Sequence, residues 1–129
     1  MRTVYLDSSV LVALLFEETL PKRYDRWLDF KGSYYSSYLL EAEIYASAAR
    51  EGFSLEKAGE FIERVSLIIP EGSLKKEYLR IFGMGYCRGA DACHLATALY
   101  LDPTAENLVF LTADEKQANM ARKIGFQIA

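Results

Sequence analysis

Short apolar runs alternate with longer amphipathic stretches along this chain. Thr3-Val4-Tyr5-Leu6 has the length and β-branched, apolar character of a strand. Asp7-Ser8-Ser9 and the apolar stretch Val10 to Phe16 follow it, giving strand, turn and helix. The arrangement recurs late, where Asn107 to Thr112 reads as a strand, Asp114 follows, and Glu115 to Lys123 has helical spacing. Over the whole chain the patterning predicts strands near 3–6, 33–36, 66–69, 107–112 and 126–128. It predicts helices near 9–17, 20–30, 38–51, 55–65, 73–83, 91–101 and 115–123. Such alternation favours an α/β fold with a parallel sheet, and the helical pairs at 9–30 and 38–65 imply long crossovers. Pro70 and Gly72 punctuate the third strand, while Gly83, Gly85 and Gly89 make a turn-rich approach to Asp91.

That order of elements gives four carboxylates a common destination. In an open parallel sheet the carboxyl ends of the strands share one edge, and ligands bind in the crevice outside it. Asp7 and Asp114 would lie on that edge. Asp91 follows Arg88-Gly89-Ala90 and opens the apolar helix Ala92 to Leu101, so it too stands near a helix amino terminus. Each aspartate has a plainer role open to it, since Asp is a preferred N-cap and Asp114 with Gln117 resembles a capping box. Glu43 is harder to explain by capping. On the helix spanning Tyr38 to Arg50, positions 39, 40, 42, 43, 46, 47 and 50 share a face, which places Glu43 among Leu39, Leu40, Ala42 and Ala46. A carboxylate inside an apolar stripe is costly unless a cation or hydrogen bonds satisfy it. Glu41 instead sits with Tyr38, Tyr45 and Ala48 on a face that can be wet, so Glu43 is the candidate and Glu41 a solvated charge.

Hard oxygen donors of this kind suit magnesium or manganese. Four uncompensated carboxylates in one place would also raise some of their pKa values. Asp7, Glu43, Asp91 and Asp114 are therefore the candidate metal-binding and catalytic residues of a phosphodiester-cleaving centre, with Arg88 at its rim for phosphate contact or simple solvation. His94 lies one turn after Asp91 on a helix that is apolar nearly all round, which favours a packing or supporting role over a catalytic one.

Composition narrows the class. The 129 residues, 51% of them hydrophobic, can build one real core, and we find no linker, repeat or low-complexity run, so residues 1–129 read as a single domain. No apolar stretch is long enough to span a bilayer and the amino terminus lacks a signal-peptide pattern, so no membrane partner is expected. Cys87 and Cys93 make no disulfide framework, which suits the cytoplasm, and one histidine argues against a Cys/His zinc site. The net charge of −3 becomes +1 once the four candidate ligands are set aside, so the acidity is no objection to a nucleic-acid enzyme. It does argue against tight nonspecific duplex binding.

The residues that carry this chemistry also carry a likeness. Val4 to Val12, the Ser37-to-Glu43 spacing, Arg88 to Ala98 with its Arg-Gly-Ala-Asp-Ala-Cys-His-Leu-Ala-Thr-Ala sequence, and Leu111-Thr112-Ala113-Asp114 resemble the PIN domain and, within it, the VapC-type toxin ribonucleases. The likeness spans nearly the whole chain, and its four motifs come in the right order. It implies a three-layer α/β/α sandwich with a central parallel sheet and an acidic, divalent-metal pocket that cuts RNA. Asp7, Glu43, Asp91 and Asp114 match its acidic positions in that order, and Ser9 and Thr112 match hydroxyl positions beside the metal. It further implies a homodimer and inhibition by a VapB-type antitoxin whose peptide lies in a groove beside the pocket. The aromatic residues Tyr24, Trp27, Phe30, Tyr34, Tyr35, Tyr38 and Tyr45 would serve the core or line that groove.

Other classes stay open. A non-toxin PIN nuclease of RNA processing or decay would use the same pocket, and a noncatalytic binding module would keep the scaffold. An aspartate-nucleophile phosphatase shares the strand-Asp-turn opening, but wants a second acid two residues on, where this chain has Ser9.

Overall fold

The computed structural model describes residues 3–29 and 31–129. Phe30, one of the aromatic group and the end of the expected 20–30 helix, lies outside the described residues. The elements are β1 (Thr3–Leu6), α1 (Ser8–Leu15), β2 (Ser33–Ser37), α2 (Leu39–Arg50), α3 (Leu55–Ile62), β3 (Ser66–Ile68), α4 (Lys75–Met84), α5 (Gly89–Leu101), β4 (Leu108–Leu111) and α6 (Glu115–Ile124). The four strands form one parallel sheet in the order β3-β2-β1-β4.

Alternation along the central strands builds the layers. Val4 and Leu6 of β1, with Val109 and Leu111 of β4, join a cluster with Val10, Leu11, Leu40, Ile44 and Ile62 from α1, α2 and α3. Tyr5, Leu108 and Phe110 point the other way, toward Ile81, Leu95, Leu99 and Met120 from α4, α5 and α6. Strands buried on both faces read as continuous apolar runs, which is why β1 and β4 were visible as such. The result is an α/β/α sandwich. From β1 the chain passes to β2 on one side, while β4 comes to the other side after α4 and α5 have covered the opposite face. The carboxyl ends of β1 and β4 thus flank a point where the winding reverses, the place where such sheets bind ligands.

Three expectations need correction. The 20–30 helix is only a 3-10 turn at Lys22–Tyr24, followed by turns in which Trp27 N–H bonds to the Tyr24 carbonyl at 2.9 Å. Tyr24 and Trp27 are buried by successive turns, and the periodicity they create needs no continuous helix. The strand at 126–128 is a single bridge between Val109 and Gln127. Gly125, at φ 120°, turns the chain out of α6, and Phe126 uses its apolar surface to stack on Phe110 at 5.9 Å. On α2 the buried residues are Leu40, Ile44 and Ala48, whereas Ala42 and Ala46 are exposed. Leu40, Ile44 and Ala48 recur every fourth residue, so the buried stripe is centred one position beyond Glu43.

The end of α5 is fastened by a carboxylate. Asp102 Oδ2 accepts the main-chain N–H groups of Asn107 and Leu108 at 2.9 and 3.0 Å. Burial raises its pKa, but these bonds outweigh that and hold it below the usual carboxylate range. Asp102→Ala is expected to cost about 2 kcal/mol, since two main-chain donors at the start of β4 lose a charged acceptor. Thermal melts measure this, and the loss should shrink as pH falls through the lowered Asp102 pKa, where the native side chain itself gives up its charge.

Candidate functional site

Asp7 is the most buried acid of the cluster, 3% exposed, because it ends the central strand rather than a loop. Its main-chain N–H continues the sheet by bonding to the Leu111 carbonyl at 3.0 Å. Its side chain makes no N-cap bond to α1. Instead Thr112 Oγ1 donates to Oδ2 at 2.7 Å, and the hydroxyls of Ser8 and Ser9 lie 3.4 Å from the carboxylate. Thr112 also accepts the Asp114 N–H at 3.1 Å, and Ser9 Oγ, itself an acceptor for the Ala113 N–H, lies 3.1 Å from Thr112 Oγ1. The β1 and β4 ends are thereby tied together around one carboxylate.

Asp91 occupies the first turn of α5, and Asp114 caps α6 by accepting the N–H groups of Lys116 and Gln117. The amino ends of these helices favour negative charge. The expected reciprocal capping bond does not form, because Gln117 Nε2 donates to the Asp91 carbonyl at 2.9 Å. Asp91 and Asp114 together wall two clefts. One, of about 520 Å³, adds Tyr86, Arg88, Lys116 and Gln117; the other, of about 460 Å³, adds Asp7, Ser8 and Ser9. Burial raises the pKa of Asp91, and the charges of Asp7, Asp114 and Glu43 raise it further, with His94 pulling against them.

Glu43 reaches the cluster through a neighbour. Its side chain is 27% exposed at the margin of the buried stripe of α2, and Oε1 lies 2.6 Å from His94 Nε2. The same imidazole nitrogen is 3.9 Å from Asp7 Oδ1. His94 Nδ1 lies 2.8 Å from the hydroxyl of Tyr5, whose pKa burial pushes well above the usual tyrosine value. Glu41 is exposed.

The structure therefore gathers Asp7, Asp91 and Asp114 at the clefts and attaches Glu43 to them through His94, with Ser9 and Thr112 bracing Asp7 and Arg88 exposed at the rim. Glu43 lines neither cleft. Sequence reasoning misses Tyr5, gives the buried Gln117 a capping role in place of its bond to Asp91, and offers no partner for His94. For Tyr5 and His94 the only sequence signal is a phenol and an imidazole at positions whose neighbours are apolar. Among the described residues no three His, Cys, Asp or Glu side chains stand close enough together to enclose an ion. The donor set is nevertheless all hard oxygen, and the repulsion felt by Asp91 marks a centre with excess negative charge, so the residues fit a divalent cation.

Comparison with known proteins agrees with the architecture. The family model for the PIN domain matches residues 4–123. The solved structure of VapBC-1 from nontypeable Haemophilus influenzae superposes with a TM-score of 0.60 at 16% identity, covering 98% of this chain and 96% of that one. No curated protein gives a significant match to the sequence. Among the described residues no helix is long and apolar enough to cross a membrane.

Proposed function

Because the chain belongs to the PIN domain family, we propose that it is a divalent-metal-dependent endoribonuclease, hydrolysing RNA phosphodiester bonds as the toxin of a VapBC-type pair. The observation that carries this reading is the gathering of Asp7, Asp91 and Asp114 around two clefts, with Glu43 joined to them through His94. Hard oxygen donors crowded in this way suit a divalent cation, which would relieve their repulsion.

Asp7, Glu43 and Asp91 would anchor Mg2+ or Mn2+, with Asp114 completing the site or orienting water. The bound ion would lower the pKa of the attacking water and stabilise charge on the phosphate and the leaving oxygen. The chain's own residues set the stage. Thr112, Ser8 and Ser9 hold Asp7 in place as an acceptor, and the flanking carboxylates would close on a cation bound there. Arg88 and Lys116, on the wall of the larger cleft, would bind the RNA backbone. The VapBC-1 likeness supports a VapB-type antitoxin as partner, a basic residue of which would compete with metal for the carboxylates. A homodimer working in the cytoplasm completes the proposal.

Purified, partner-free protein is expected to cut total cellular RNA into discrete fragments in manganese or magnesium, with cutting lost on chelation and in Asp7→Asn. Cutting that persists in Asp7→Asn would put the chemistry elsewhere. In calorimetric titration with Mn2+, Glu43→Gln should lose binding and Glu41→Gln should not.

A further inference from the structure

The chain has one histidine, and it is 1% exposed between two polar side chains distant in sequence. On one side Nε2 meets Glu43 Oε1 at 2.6 Å, and on the other Nδ1 meets the Tyr5 hydroxyl at 2.8 Å. An ionised carboxylate only accepts hydrogen bonds, so the imidazole proton belongs on Nε2. Nδ1 faces the Tyr5 hydroxyl, and a phenol, which can donate or accept, completes the hydrogen bonding of the ring. Tyr5 is itself immobile. It is fully buried on the central strand, its ring stacks on Phe110 at 5.2 Å, and it meets the imidazole edge-on at 5.8 Å. Glu43, by contrast, projects from the margin of α2 and lines neither cleft.

We propose that Tyr5 and His94 form a positioning relay that holds the Glu43 carboxylate beside Asp7, so that the divalent-cation affinity of the acidic cluster depends on a phenol on the first strand. The inference rests on the metal-centre reading above. It assigns neither residue to the reacting atoms. The imidazole is a rigid spacer whose Nε2 meets Glu43, and Tyr5 holds the ring in place from its other nitrogen. Hydrogen-bonding partners behind a metal ligand change metal affinity by about 10–100-fold when removed.

Two readouts test the relay apart from turnover. In metal-free protein, nitrogen NMR of the sole histidine should show a proton on Nε2 in a strong hydrogen bond, and Tyr5→Phe, which keeps the stack on Phe110, should weaken that bond and broaden or shift its resonance. By calorimetry, Tyr5→Phe should weaken Mn2+ binding about tenfold and His94→Leu more, with thermal melts verifying that both fold. His94→Gln should recover most of the affinity, because its amide can donate to Glu43 without help from a phenol, and adding Tyr5→Phe to it should change little. It should also slow cleavage less than Asp91→Asn does. An Nε2 without a proton in the parent, or folded Tyr5→Phe and His94→Leu that bind Mn2+ as the parent does, would overturn the relay. A parent that binds no Mn2+ would overturn it together with the metal centre. A parent that binds Mn2+ through Asp7, yet is indifferent to Tyr5, would overturn the relay alone.

Discussion

Asp91→Asn is expected to reduce RNA cleavage by about 10³-fold, equivalent to roughly 4 kcal/mol of transition-state stabilisation, while raising the melting temperature of the metal-free protein. The two effects have one origin. Asp91 is partly buried and faces Asp7, Asp114 and Glu43, and both burial and these charges raise its pKa. A carboxyl whose folded pKa lies above its unfolded value destabilises the fold once it ionises. The penalty is absent below the unfolded pKa, about 3.9, grows as pH rises, and is complete above the raised folded value. Asparagine keeps the shape and removes the penalty. Melts of the two proteins should differ most above the raised Asp91 pKa and converge as pH falls toward 4. A variant that is inactive but no more stable would mean that Asp91 is solvated well enough to bear its charge without cost, and the case for a cation-dependent cluster would weaken accordingly.

Such a trade between stability and activity is legible in sequence only in part. Asp7 and Asp114 could be placed on one edge because each follows a strand buried on both faces, and continuous apolar runs such as Val4-Tyr5-Leu6 and Leu108 to Leu111 are a strong signal. The sandwich itself follows from the same alternation. The region after α1 was misread for a physical reason: Tyr24, Trp27 and Leu28 have the spacing of a helix face, yet their burial is achieved by turns, with Tyr24 O–H donating to the Thr112 carbonyl at 2.7 Å. Periodicity reports which side chains are buried, and a helix is one of several ways to bury them.

The site shows a second limit. Glu43 was separated from Glu41 by supposing that Ala42 and Ala46 lay inside, and they are exposed. What draws Glu43 inward is the imidazole of His94, 51 residues away in sequence. Helical spacing can state which residues share a face with Glu43, but it carries no information on what stands opposite. The same applies to Tyr5, which reads as an ordinary strand aromatic until α5 is packed against β1 and brings His94 to within 2.8 Å of its hydroxyl. Contacts made inside one element were available from the pattern; contacts across three elements were not.

Thr112→Val should have the reverse signature to Asp91→Asn, with a loss of stability preceding any effect on chemistry. The hydroxyl of Thr112, in a side chain 2% exposed, donates to the buried Asp7 carboxylate at 2.7 Å while accepting the Asp114 N–H at 3.1 Å. Valine fills the same volume and supplies neither bond. A hydrogen bond to a charged group contributes about 1.5–3 kcal/mol, and the carboxylate of Asp7, a residue 3% exposed, has little surface on which water could replace it. We expect a loss of about 3 kcal/mol, roughly 10 °C in melting temperature for a chain of this size. Thr112→Ser, which keeps the hydroxyl, should lose far less. Saturating Mn2+ should narrow the gap between Thr112→Val and the parent, because a cation on Asp7 replaces the missing donor and stabilises the native state by mass action. If the gap is unchanged by Mn2+ that demonstrably binds, Asp7 is braced by Thr112 for structural reasons alone, and the metal is held by Asp91, Asp114 and Glu43 without it.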